Sequence, residues 1–124
     1  MKKKILLVDD ERDLVRSVTF RLVDAGYDVV VAMDGVEALE KAKGEMPDLI
    51  VLDLMLPKMN GYKVCSLLKA DPRYKKIPIL MFTARAQEAD RRMSEEVGAN
   101  AYVTKPFEPE ILLAKIEELL EKSG

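Results

Sequence analysis

The sequence predicts an α/β fold in which helices cover both faces of a five-stranded parallel sheet with strand order 2-1-3-4-5. Short apolar runs alternate along the chain with longer segments whose apolar residues recur at helical spacing. The short runs are apolar on both faces, as strands of a covered parallel sheet are. Right-handed crossovers then leave few ways to wind the sheet. Because 124 residues suffice for one core and are too few for two, we expect a single domain over residues 1–124.

Each predicted element has its own local evidence. The five strands are Ile5–Val8, Val29–Met33, Leu49–Leu52, Ile79–Phe82 and Ala101–Val103. Gly26 ends the first helix, and Asp34 begins the second as its N-cap, with Glu37 three residues later in a capping-box arrangement. The helical residues are Val18, Leu22 and Ala25; Val64, Leu67 and Leu68; Ala89, Met93 and Val97; and Leu112, Leu113, Ile116, Leu119 and Leu120. The five βα units favour a flavodoxin-like winding.

Composition excludes several classes of function. The apolar runs are too short to cross a membrane, and the basic start at Met1 leads into a strand without a cleavage site, so we expect no membrane partner. Twenty basic and twenty-two acidic residues leave a net charge of −2, which argues against direct nucleic-acid binding. The one cysteine, Cys65, cannot form an internal disulfide, and we expect it to be buried in a cytoplasmic protein. Because histidine is absent, any chemistry must use carboxylates, hydroxyls and lysine.

Polar side chains follow four of the predicted strands and should meet at one edge of the sheet. Asp9 and Asp10 follow the first strand, Asp53 the third, Thr83 the fourth, and Lys105 the fifth. Each has an ordinary structural alternative, since Asp10 and Thr83 could cap helices and Lys105 could be a solvated loop charge. Three carboxylates within several ångströms would repel one another unless a cation compensated them. The expected cation is Mg²⁺, with Mn²⁺ as an alternative, because both are bound through oxygen ligands.

Four segments of the chain resemble the motifs of bacterial response-regulator receiver domains. They are Leu7-Val8-Asp9-Asp10-Glu11, the stretch from Leu52 to Pro57 followed by Asn60-Gly61, Thr83-Ala84, and Lys105-Pro106-Phe107. The four segments have the order and spacing of the family's motifs, and the resemblance covers the whole chain. The resemblance implies a receiver of a two-component phosphorelay, a phosphoprotein that takes a phosphoryl group from the phosphohistidine of a histidine kinase or phosphotransfer protein.

The resemblance also assigns roles to individual residues. Asp53 would be the phosphoacceptor, Asp10 would ligate Mg²⁺ directly, Asp9 would assist through water, and the backbone carbonyl of Met55 would supply a further ligand. The phosphoryl oxygens would be held by Thr83, Lys105 and the backbone N–H of Ala84. The domain would assist its own phosphorylation and dephosphorylation without being an enzyme that acts on a separate substrate.

Switching and output are likewise implied by the resemblance. The Thr83 hydroxyl would move toward the phosphoryl group and Tyr102 would turn inward to fill the vacated space. The Lys105–Pro106 peptide bond would be cis. The surface of the fourth helix, fifth strand and fifth helix would bind a downstream protein or effector domain, either as a monomer or as a phosphorylation-dependent dimer.

Several side chains are candidates for tuning and for partner contact. Met55 and Arg85 flank the predicted pocket and could slow the attack of water on a phosphoaspartate. The candidate partner contacts are Leu14, Val15, Arg91, Phe107 and Ile111, and for Leu14 and Val15 a place in the core is the alternative. We expect Ile111 to be exposed on a charged helical face. Asn100-Ala101 stands where DNA-binding regulators of the winged-helix branch usually carry an acidic pair, which leaves their form of dimer in doubt for this chain.

Two other functions remain as alternatives. A phosphatase of the haloacid-dehalogenase type also uses an aspartate nucleophile with Mg²⁺, but it needs a second aspartate at the position of Met55. A degenerate receiver or flavodoxin-like module would bind a partner or ligand without being phosphorylated, although no hydroxyl- or glycine-rich phosphate loop is present for a flavin. We expect a stand-alone regulator, with an effector domain beyond residue 124 as the alternative.

Overall fold

The computed structural model of the chain describes residues 2–84 and 87–123. Five strands form one parallel sheet in the order β2-β1-β3-β4-β5, which confirms the predicted topology. The strands are β1 (Lys4–Val8), β2 (Asp28–Ala32), β3 (Leu49–Leu52), β4 (Ile79–Thr83) and β5 (Ala101–Thr104). β2 lies one residue earlier than predicted because Asp28 pairs with Lys4 and Ala32 with Val8. β4 and β5 each extend one residue further because Thr83 pairs with Thr104.

The helices cover the sheet from both sides and create two cores. They are α1 (Arg12–Asp24), α2 (Gly35–Glu45), α3 (Gly61–Ala70), α4 (Glu88–Glu96) and α5 (Pro109–Ser123). One core lies between the sheet and α1 with α5, and the other between the sheet and α2 with α3. Successive strand residues alternate between the two cores, so that Ile5 faces the α1 side and Leu6 the α2 side. The strands are therefore apolar on both faces.

Local signals in the sequence define the ends of α1 and α2. Gly26 has φ of 98°, a conformation that glycine adopts without a Cβ penalty, and its N–H donates to the Val23 carbonyl just after α1. Asp34 Oδ1 accepts the Glu37 N–H at 2.8 Å, as predicted for an N-cap. The Glu37 carboxylate, however, accepts the N–H of Met33 at 2.6 Å, one residue before the cap. The predicted capping box is thus shifted by one position.

The predicted apolar faces of three helices need correction. Leu67 on α3 and Met93 on α4 are 40% and 43% exposed, and Ala89 and Ala25 are exposed as well. The buried residues of α4 are instead Asp90 and Ser94. A count of apolar residues cannot find this face, because a helix can also pack through polar side chains when these have hydrogen-bond partners.

The structure bears on two expectations drawn from composition, the burial of Cys65 and the short length of the apolar runs. Cys65 is fully buried in the α2–α3 core, and burial raises the pKa of its thiol to about 11, so it behaves as a small hydrophobic residue. Within residues 2–84 and 87–123, none of the helices combines the length and apolar character that a membrane crossing needs.

Candidate functional site

Three carboxylates meet at the carboxyl edge of the sheet, as the sequence predicts. Asp9 follows β1 and is fully buried, Asp53 follows β3 and is 5% exposed, and Asp10 is exposed beside them. The Asp53 N–H donates to the Val8 carbonyl at 3.0 Å, which ties the end of β3 to β1. One carboxylate oxygen of each aspartate lies within 4.8 Å of those of the other two. The convergence follows from strand register, since β1 and β3 are adjacent and parallel.

Lys105 extends into this acidic cluster from the end of β5. Its Nζ lies 2.6 Å from Asp9 Oδ2 and 3.6 Å from Asp53 Oδ2, and its side chain is 16% exposed. The backbone N–H of Lys105 donates to the Thr83 carbonyl at 2.8 Å, and the peptide bond to Pro106 is cis, as the resemblance implies. The alternative that Lys105 is a solvated loop charge is therefore wrong.

The electrostatics of the cluster favour an added cation. The pKa of Asp53 is raised to about 6, first by burial and then by the neighbouring Asp9 carboxylate. The Lys105 ammonium and the N–H of Met55, which donates to Asp53 Oδ1 at 3.3 Å, lower the pKa of Asp53 but do not reverse the shift. Among the described residues, the cluster thus combines three carboxylates with the Lys105 ammonium, which pairs with Asp9 and Asp53. An all-oxygen set with excess negative charge fits a hard divalent cation such as Mg²⁺.

The structure excludes both helix-capping alternatives. Thr83 is the last residue of β4 and is buried, whereas α4 begins five residues later with Gln87 as its N-cap. The N-cap of α1 is Glu11 rather than Asp10. Asp9 contributes there instead, because its Oδ1 accepts the Glu11 N–H at 2.9 Å. Ala84 follows Thr83 directly and is exposed. Its backbone N–H is the predicted hydrogen-bond donor to the phosphoryl oxygens.

The residues predicted to tune the lifetime of a phosphoaspartate are only partly described. Met55 lies two residues after Asp53, and 56% of it is exposed. Arg85 lies outside the described residues. The proposed shielding of the site by these two side chains therefore stays a prediction.

The candidate partner contacts divide into one core residue and several surface residues. Val15 is 9% exposed and belongs to the α1–α5 core, so it is wrong as a contact residue. Leu14 and Phe107 line a groove of about 410 Å³ between α1 and α5. Ile111 is 51% exposed, as predicted, and the exposed Arg91 places its guanidinium 5.7 Å from the ring centroid of the half-buried Tyr102.

Asn100 connects two strands through hydrogen bonds that the sequence did not indicate. Its Oδ1 accepts the Ile79 N–H at 2.9 Å, and its own N–H donates to the Ile79 carbonyl at 2.8 Å. The side chain therefore joins the starts of β4 and β5. Ile79 precedes Asn100 by 21 residues, so no local pattern in the sequence identifies the two as partners.

Sequence analysis also missed a polar contact between α3 and α4. The Tyr62 hydroxyl lies 3.1 Å from Asp90 Oδ1 and 3.2 Å from the Asp90 carbonyl, and Ser94 Oγ donates to the same carbonyl at 3.0 Å. The only available signal was the tyrosine that follows Gly61 at the start of α3. Its partner is 28 residues away in the chain, so only the tertiary fold could identify it.

This fold and this cluster define a receiver domain, and comparisons with known proteins agree. The family model described as response regulator receiver domain matches residues 5–117. The chain therefore belongs to the response-regulator receiver family. It is 49% identical over 99% of its length to the alkaline phosphatase synthesis transcriptional regulatory protein PhoP of Bacillus subtilis. It is also 41% identical over 99% of its length to the DNA-binding response regulator MtrA of Mycolicibacterium paratuberculosis.

Solved structures show the same fold. A putative response regulator from Chloroflexus aurantiacus superposes with a TM-score of 0.93 at 35% identity, covering 98% of this chain and 99% of that one. The chemotaxis response regulator CheY4 of Vibrio cholerae gives a TM-score of 0.90 at 36% identity, covering 96% and 99%. The chain spans about half the length of the curated relatives it matches, 50% of PhoP and 53% of MtrA.

Proposed function

We propose that this receiver domain is a Mg²⁺-dependent phosphoacceptor modified on Asp53. The observation that carries the proposal is the position of the Asp53 carboxylate, buried at the end of β3 with Asp9 and Lys105 beside it. A carboxylate oxygen of Asp53 would form the new P–O bond while the P–N bond of a donor phosphohistidine breaks and the imidazole leaves. These 124 residues include no histidine, and the donor that we propose is the phosphohistidine of a histidine kinase or phosphotransfer protein.

The residues of the site divide into metal ligands and phosphoryl contacts. Asp10, Asp53 and the carbonyl of Met55 would hold Mg²⁺, with Asp9 acting through a water. When bound, Mg²⁺ would neutralise charge on the phosphoryl oxygens. Lys105 would contact these oxygens after leaving Asp9, to which it now donates at 2.6 Å. The buried Thr83 hydroxyl and the N–H of Ala84 would supply the remaining donors.

Phosphorylation would then change the surface formed by α4, β5 and α5. We infer that Thr83 moves toward the phosphoryl group and that Tyr102, now half-buried beside Arg91, turns inward. The exposed Ile111 on α5 and Arg91 on α4 would contact a downstream protein or effector domain. The same surface would serve a phosphorylation-dependent dimer, which light scattering before and after phosphorylation would detect.

Incubation with acetyl phosphate and Mg²⁺, followed by intact-protein mass measurement, tests the proposal. We expect one stable phosphoryl adduct on the wild type and none on Asp53→Asn. Asp28→Asn removes an exposed carboxylate at the opposite end of the sheet and should be modified like the wild type. A stoichiometric adduct on Asp53→Asn would contradict the proposal. Sustained catalytic release of phosphate would indicate the phosphatase alternative, and no adduct on any protein would indicate a degenerate receiver.

A further inference from the structure

The loop between β3 and α3 is held near its middle by the amino terminus of α2. This loop begins at Asp53 and includes Met55, whose carbonyl is a proposed metal ligand. The N–H of Gly35, the first residue of α2, donates to the Pro57 carbonyl at 3.3 Å. Beside it, Lys58 Nζ lies 3.5 Å from Asp34 Oδ2. Two adjoining residues of the α2 terminus therefore contact two adjoining residues of the loop.

Gly35 permits this contact because it has no side chain. A Cβ at this position would overlap the backbone carbonyl oxygen of Met59 and lie 2.7 Å from its carbonyl carbon. The overlapping atom is backbone, so no side-chain rotation can relieve the overlap. Either α2 or the loop would have to move. Gly35 is also buried, which leaves little room for such a movement.

The loop can absorb a displacement only between its fixed ends. At one end the Asp53 N–H donates to the Val8 carbonyl, and at the other the Gly61 N–H donates to the Leu54 carbonyl at 2.9 Å. A shift of Met59 is therefore passed to the residues between these bonds. Met55 is one of them, and its N–H also donates to Asp53 Oδ1.

We propose that Gly35 is a positioning residue for the Mg²⁺ and phosphoryl site, acting through the contact of its backbone with residues 57–59. This inference rests on the proposed function. A displacement of about 1 Å in a positioned group can reduce a rate on the order of a hundredfold, so the effect should be measurable. The role differs from a contribution to stability, because it predicts weaker metal binding by molecules that are still folded.

Gly35→Ala tests the proposal, and Gly44→Ala in the same helix is the matched control. A Cβ at Gly44 meets nothing within 4 Å, so this variant changes the same residue type without touching the loop. In EDTA, Gly35→Ala should shift the backbone amide resonances of residues 54–60, and Gly44→Ala should not. Titration with Mg²⁺ should give a Kd about tenfold higher for Gly35→Ala and an unchanged Kd for Gly44→Ala. The rate of acetyl phosphate modification should fall in parallel.

The outcomes separate this proposal from the proposed function. If the wild type neither binds Mg²⁺ nor becomes phosphorylated, the proposed function is wrong. If the wild type does both and folded Gly35→Ala has a Kd less than roughly threefold higher, only the positioning role is overturned. A lower melting temperature with unchanged Kd would likewise show a purely structural glycine.

A second variant decides the question if Gly35→Ala does not fold. The first step is to combine Gly35→Ala with Gly44→Ala, because alanine at position 44 favours the helix more than glycine does and should recover stability. If that protein is also unfolded, Lys58→Met removes the neighbouring ion pair without a steric overlap. A Mg²⁺ Kd at least roughly twofold above that of the wild type would support the positioning role of the α2 terminus, and a smaller change would overturn it.

Discussion

The burial of Asp53 makes a single carboxylate a source of instability in the metal-free protein. Its pKa is about 6 in the folded state against 3.8 for an ordinary aspartate. The folded protein therefore holds this proton more tightly than the unfolded chain, and stability falls as the pH rises from about 4 to about 6. Above pH 6 the loss from this one group is at most about 3 kcal/mol.

Asp53→Asn should consequently stabilise the protein at pH 7–8 in EDTA, by up to about 3 kcal/mol in the free energy of unfolding. The gain should shrink as the pH is lowered from about 6 and disappear at about pH 3, below the ordinary aspartate pKa of 3.8, where the wild-type carboxyl is protonated in both states. Urea denaturation at several pH values measures the difference, with Asp28→Asn as the exposed control. A gain that is constant from pH 4 to pH 8 would show that ionisation of Asp53 is not its cause.

The side chain of Met55 is expected to affect the rate at which a phosphoaspartate at Asp53 is hydrolysed. This exposed side chain lies two residues after Asp53, the proposed phosphoacceptor, and the thioether offers water no strong hydrogen bond. We expect Met55→Asn to accelerate hydrolysis of the phosphoaspartate, because the amide can orient an attacking water. Arg85→Ala should also accelerate the decay. Both are measured by removing the donor after phosphorylation and following the adduct by mass, and unchanged or slower decay in both variants would exclude shielding.

Among the structural elements, α4 differs from the other helices in how it is attached. Its buried residues are Asp90 and Ser94, and Tyr62 of α3 reaches Asp90 across the interface. An attachment through hydrogen bonds contributes less than a comparable apolar interface, because each bond replaces one made with water. α4 should therefore open locally at a lower free energy than the helices packed on the two cores.

Tyr62→Phe tests this attachment. Loss of the hydroxyl should destabilise the protein by about 1 kcal/mol and leave the Asp90 carboxylate with fewer partners. Hydrogen exchange should increase most for the amides of Glu88–Glu96. Tyr27→Phe, at a half-buried tyrosine outside α4, should not produce this local increase. An equal increase of exchange over the whole chain would mean that Tyr62 supports the fold as a whole rather than α4.

For the whole molecule, the metal binding proposed at the acidic cluster would contribute to global stability. Mg²⁺ that binds only the folded state should stabilise it by about 2.7 kcal/mol when its concentration is about 100 times Kd. The melting temperature of the wild type should therefore rise with Mg²⁺ concentration. Asp10→Ala removes the most accessible carboxylate of the cluster and should reduce this rise, whereas Asp28→Asn should retain it. Equal rises in the wild type and Asp10→Ala would remove Asp10 from the metal site.

The strand order and the meeting of polar residues at one sheet edge could be predicted from the sequence. Apolar runs on a two-sided sheet and the positions of polar residues just after them depend on local order, and local order is visible in one dimension. The sequence therefore predicts that one edge of the sheet carries Asp9, Asp10, Asp53, Thr83 and Lys105. Their individual roles in phosphorylation came from the family resemblance and remain proposals.

Contacts between residues that are distant in the chain could be identified only from the tertiary structure. It showed Lys105 bound to Asp9, Val15 in the core, and α4 attached through Asp90. It also showed Gly35 against the backbone of Met59, 24 residues ahead in the chain. Periodicity indicates which face of a segment is apolar, but it carries no information on which polar group or backbone atom will lie opposite. Such contacts are fixed only when distant segments pack together at van der Waals distances.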